Sequence, residues 1–99
     1  MSKNYIEFLG VKILESDVKK IRSFPKKKLD TINDYKIYVA FLQLMSSSSY
    51  HENCKGIYLL NYMEKYRKES ELILPMKRFL INGDDKYFTN PPLKYRLAL

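Results

Sequence analysis

Tryptophan is missing from this 99-residue sequence, cysteine and histidine occur once each, and glycine only three times. Each scarcity closes off a class of chemistry. The single cysteine, Cys54, leaves no intramolecular disulfide framework and points to a reducing compartment. His51 stands three residues before it, and the two together fall short of the three or four ligands of a zinc site. No spacing of Asp and Glu completes such a set, so neither a metal nor another cofactor is expected. Gly10, Gly56 and Gly83 are too far apart for a glycine-rich phosphate loop. The longest uncharged run, Ile37 to Tyr50, is 14 residues and ends on a serine tract. It is too short and too polar to span a bilayer, so no membrane association is expected. Seven charges in the first twenty residues exclude the apolar core of a signal peptide.

What is present suits one small α+β domain covering residues 1–99. Hydrophobic residues make up 45% and aromatics 14%, enough to bury a core. Lysine and arginine number 18 against 11 acidic residues, a net charge of +7 that favours an anionic partner. Part of that charge is compositional. Lys, Asn, Ile, Tyr and Phe supply 42 residues, whereas Ala, Gly, Pro and Arg supply 13. The first group has AT-rich codons, so an AT-rich genome enriches lysine without functional demand. This Tyr-, Lys- and Asn-rich style resembles many small proteins of viruses and mobile elements. The implied location is the cytoplasm, or the host cell interior if the origin is viral.

Periodicity places the elements. Tyr5 to Leu14 reads as a strand whose alternation slips at Gly10, where a bulge or bend belongs. Ser16 or Asp17 caps a short helix carrying Val18 and Ile21, and Pro25 ends it. Lys26, Lys27 and Lys28 form an exposed basic connector. Thr31-Ile32-Asn33-Asp34 has capping-box spacing and opens a second helix, with Tyr38, Leu42 and Met45 on its buried side. Nine of the eleven residues from Tyr35 to Met45 are apolar, which makes this the central core helix. Ser46 to Gly56 reads as a polar loop, or a frayed helix end followed by a loop, leaving Cys54 without a role. Ile57 to Lys68 forms a third helix with Leu59, Tyr62, Met63 and Tyr66 as its apolar stripe. Beyond Glu71 the pattern reads as β: an apolar run to Ile81, a turn at Asn82-Gly83, a short strand Lys86–Thr89 and an alternating strand Leu93–Leu99.

An N-terminal strand, three helices, a C-terminal β-hairpin and a final strand make an order similar to winged-helix domains. The likeness rests on the helix Ile57–Lys68, the turn Asn82-Gly83 and Leu93-Lys94-Tyr95-Arg96-Leu97, and it covers residues 16–99. It departs from the pattern at Ser46–Gly56, which is longer than a helix-turn-helix turn.

Two clusters carry the functional expectation. Lys26, Lys27 and Lys28 can attract phosphates, although a solvated loop in a lysine-rich chain looks the same. The polar face of the third helix offers Tyr58 to stack on a base and Asn61 to read an adenine edge. Lys65 and Lys68 can hold phosphates there; an ordinary polar helix face is the competing reading. His51 and Cys54 lack an orienting third group, so no catalytic residues are expected and the chain is not read as an enzyme. Most of the nine tyrosines fall on packing stripes, with Tyr50, Tyr58 and Tyr87 expected at the surface. The leading expectation is therefore a small basic nucleic-acid-binding module of viral or mobile-element origin. The alternative is a non-catalytic protein-binding factor, either an inhibitor of a host protein or a homodimeric adaptor.

Overall fold

The computed structural model describes residues 4–21 and 24–96. Strands β1 (Tyr5–Phe8) and β2 (Val11–Leu14) are followed by helices α1 (Glu15–Lys19), α2 (Lys26–Leu29), α3 (Asp34–Met45), α4 (Tyr50–Tyr66), α5 (Ile73–Asn82), α6 (Lys86–Thr89) and α7 (Leu93–Arg96). Among the described residues the strands form one two-stranded sheet. No described helix is long and apolar enough to cross a membrane.

This architecture corrects the expected strand, three helices, hairpin and final strand. The winged-helix-like order falls with it, because the hairpin precedes the helices instead of following them. Tyr5 to Leu14 is itself a hairpin in which Ile6 pairs with Ile13 and Phe8 with Val11. Leu9 and Gly10 both take positive φ, +44° and +88°, as a two-residue turn with the hand of the strand twist requires. The slip of alternation at Gly10 marks that turn, not a bulge.

The C-terminal correction has a different cause. Leu72, Met76, Phe79 and Leu80 are buried at spacings of four, three and one, which is a helical stripe. Pro75 lies in the first turn of α5, where backbone N–H groups have no intrahelical partner, so it does not break the helix. Gly83, at φ +74°, donates its N–H to the Phe79 carbonyl and closes α5. Asn82-Gly83 thus ends a helix, not a hairpin. Lys86–Thr89 and the described part of Leu93–Leu99 are single helical turns; residues 97–99 lie outside the described residues.

The second helix begins at Asp34, later than its expected cap at Thr31. Asn33 is the N-cap, its Oδ1 accepting the Lys36 N–H at 2.9 Å. The expected loop Ser46–Gly56 is helical from Tyr50. Ser49 caps α4 by accepting the Glu52 N–H, a Ser-x-x-Glu pattern hidden by the serine tract before it. Cys54 is consequently a core residue, 2% exposed, whose thiol is pushed up by burial. Asn53, buried beside it, donates its amide to the Leu44 and Ser47 carbonyls and so satisfies the end of α3.

The core lies between α3 and α4, where Tyr38, Phe41, Met45, Ile57 and Met63 are almost fully buried. At Gly56 the helices approach so closely that a Cβ would lie 2.4 Å from the Met45 sulfur.

Candidate nucleic-acid interface

Lysines of α2 and of the last turn of α4 are brought together by side-chain contacts between the two elements. Helix α2 is a single turn anchored by one buried residue, Leu29. Hydrogen bonds and charge do the rest. Lys26 Nζ lies 2.7 Å from Asp30 Oδ2, and the Tyr62 hydroxyl donates to Asp30 Oδ1 at 2.5 Å. Arg67, immediately after α4, donates to Asp34 Oδ1 at 2.7 Å and to the Leu29 carbonyl at 2.8 Å. Its guanidinium also sits 5.4 Å from the centre of the Tyr62 ring. One side chain therefore ties α2, the start of α3 and the end of α4 into a corner.

The charges are stabilised where they stand. The Lys26 hydrogen bond, seconded by Tyr62, holds the Asp30 carboxyl below its ordinary value. The same bond to Asp30 raises Lys26, which therefore remains an ammonium. For Arg67, burial opposes the charge, but the bond to Asp34 and the nearby Tyr62 side chain outweigh it and raise its pKa.

Tyr66 lies at the outer edge of this corner, and it is 47% exposed. The reading of Tyr66 as a packing residue is therefore corrected: it occupies the last position of α4 and meets Tyr62 ring to ring at 5.3 Å. Lys26 Nζ stands 4.7 Å and Lys65 Nζ 5.3 Å from the Tyr66 ring centre. Two ammoniums from separate elements thus converge on one exposed aromatic ring. Lys27 and Lys28 are exposed on α2, and Lys68 is exposed just past α4. Among the described residues, Lys27, Lys28, Lys65 and Lys68 make no ion pair. Asn61 is exposed one helical turn before Lys65.

Tyr58 is placed apart from this group. It is half-buried, stacks on Phe24 at 6.1 Å and donates its hydroxyl to the Phe24 carbonyl at 2.8 Å. That contact fastens the segment before α2 to α4. Sequence reasoning had the lysines but missed Tyr66 and Arg67. The only local signal for Tyr66 was its place at the end of the apolar stripe.

A groove of about 340 Å³ lies beside the corner, lined by Asn33, Asp34, Tyr35, Lys94 and Tyr95. Its aromatic wall is the Tyr35–Tyr95 stack, at 5.1 Å. The one lysine lining it, Lys94, is paired with Glu71, and Asp34 adds a carboxylate, so the groove does not extend the cationic surface. Among the described residues no group of three or more His, Cys, Asp or Glu side chains is placed to hold a metal ion. No protein-family model matches this chain, and neither a curated protein nor a solved structure resembles it.

Proposed function

We propose that the chain is a non-catalytic nucleic-acid-binding module whose contact surface is the α2–α4 corner. The observation that carries this reading is the convergence of Lys26 and Lys65 on the exposed Tyr66 ring. Lys27 and Lys28 follow Lys26 on α2 and Lys68 lies two residues past Tyr66, all three exposed and without an ion pair among the described residues. Phosphates gain most from such groups, because each lysine that contacts one releases a condensed counterion. The aromatic ring adds a contact that a phosphate-only surface lacks.

A salt titration of DNA and RNA binding tests the reading. Affinity should fall linearly on a log–log plot against salt. Replacement of Lys27, Lys28 or Lys68 by Ala should flatten the slope by about 1 each and weaken all sequences alike. Absence of binding at low salt would remove the proposal.

One observation favours the protein-binding alternative. Leu74 and Ile81 are 55% and 77% exposed and lie two helical turns apart on one face of α5. Leu9, at the hairpin tip, shares a surface depression with Ile81. Arg78 stands between them on the helix and Lys77 there is paired with Glu64, so the partner that fits this face is a protein with a mainly apolar contact surface.

A further inference from the structure

We propose that the corner takes single-stranded nucleic acid, with the Tyr66 ring as the platform on which one base stacks. This deepens the nucleic-acid reading of the corner and rests on it. A base inside a duplex has its faces covered by its neighbours, so an exposed ring can be used only by an unpaired or splayed base. Tyr66 offers such a ring, 47% exposed at the end of a helix.

Helix α4 is not free to lie in a groove. Eight of its seventeen residues are buried, and it packs against α1, α3, α5 and β2. Its Tyr58 side is closed by the stack on Phe24 and the hydrogen bond to the Phe24 carbonyl. Beyond Tyr58 the exposed residues of α4 are Asn61, Glu64, Lys65 and Tyr66, all within its last two turns.

The lysines suit that geometry. Lys26 and Lys65 stand over the ring, their Nζ atoms 4.7 and 5.3 Å from its centre. A base entering over Tyr66 brings its own phosphates to those ammoniums. Lys65 then exchanges a weak, exposed cation–π contact for a phosphate, while Lys26 keeps its bond to Asp30 and turns its remaining donors to the strand. Recognition of this kind tolerates any base, because every base has a π face.

The test uses the full chain and two fluorescein-labelled probes at one low salt concentration: an oligothymidine of about ten nucleotides and a blunt duplex of equal length. Anisotropy should show the single strand bound at least tenfold more tightly than the duplex. Tyr66→Ala should weaken single-strand binding by about tenfold or more, whereas Tyr66→Phe should retain it. Tyr66→Trp supplies the only tryptophan of the chain, and its fluorescence should be quenched by oligothymidine. Equal binding of both probes with no effect of Tyr66→Ala would overturn the single-strand inference while leaving a phosphate-binding corner in place. An unquenched Tyr66→Trp signal on a bound strand would overturn it too. Failure of both probes to bind would overturn this inference and the nucleic-acid reading together.

Discussion

The α3–α4 core and the α2–α4 corner share a helix but are held by different forces. In the core, Tyr38, Phe41, Ile57 and Met63 are fully buried, and Gly56 lets the two backbones close on the Met45 side chain. Apolar burial stabilises such contacts at roughly 25 cal/mol per Å², with little regard for salt. In the corner, α2 buries only Leu29; Lys26–Asp30 braces the turn itself, and its position depends on Tyr62–Asp30 and the Arg67 bond to the Leu29 carbonyl. Exposed ion pairs contribute about 0–1 kcal/mol each, and charge-assisted hydrogen bonds that are partly buried contribute more. The contrast teaches how one small fold can be rigid and still present mobile charges. The core fixes α4, and the network on its last turn places lysines without neutralising most of them.

The largest effect that separates the two regions is expected in the core. Phe41→Ala should destabilise by about 3–5 kcal/mol, because the ring is fully buried and packs edge-on against Phe79. Denaturant unfolding measures this directly. A loss below about 1 kcal/mol would mean that α3 is not the central element.

Arg67→Ala should cost about 1–3 kcal/mol by removing the bonds to Asp34 and to the Leu29 carbonyl. Unlike the core substitution, it should also lower hydrogen-exchange protection in α2 selectively and weaken oligonucleotide binding. Arg67→Lys keeps the charge but not the two-pronged geometry, so it should restore only part of both. Unchanged protection in α2 would show that Leu29 alone holds that turn.

Acid should distinguish the regions without any substitution. Lys26 and then Tyr62 hold Asp30 below its ordinary value of 3.8, and Lys94 and then Tyr95 hold Glu71 below 4.5. A carboxylate with a depressed folded pKa stabilises fully above its unfolded pKa and loses that contribution as pH falls through the folded one. Thermal stability should therefore decline below about pH 4.5. The decline should be shallower in Asp30→Asn and in Glu71→Gln. An unaltered profile in both variants would show that the corner and the α7 contact contribute nothing through these groups.

The smallest effect sharpens the comparison from the core side. Among the described residues the Tyr38 hydroxyl is buried without a hydrogen-bond partner. Burial, followed by the charge of Asp85, pushes its pKa up to about 12. Tyr38→Phe should change stability at neutral pH by less than about 1 kcal/mol. The raised pKa favours the neutral phenol in the folded state, so its contribution is complete below pH 10 and is lost as pH rises toward 12. That alkaline loss should be smaller in the phenylalanine variant. A clear destabilisation at neutral pH would mean that the hydroxyl has a partner after all.

The sequence made the core more legible than either the C-terminal half or the corner. Tyr38, Leu42 and Met45 lie at helical spacing and are buried as that spacing predicts. Helix α5 was hidden because apolar residues also fill its exposed side, at Leu74 and Ile81, so the run lost its period. Asn-Gly gives one signal for two structures, since a hairpin turn and a helix end both need a residue at positive φ. The true hairpin turn, Leu9-Gly10, lacks the Asn or Asp that usually announces one. The basic run Lys26–Lys28 was visible, but the neighbour that gives it meaning was not. Arg67 acts on Asp34 and Leu29, 33 and 38 residues earlier in the chain, and no local pattern encodes such a contact. Tyr66 misled for a related reason. Its spacing from Tyr62 and Met63 matches a core stripe, yet it is the last residue of α4, where the core has ended.

The most direct test of the corner as the binding surface is an amide chemical-shift map of the full chain titrated with a short oligothymidine. The largest changes are expected in Lys26–Asp30 and in residues 65–68, with the α3–α4 core and the α5 face unmoved. Changes centred on Leu9, Leu74 and Ile81, or no saturable change at low salt, would contradict it.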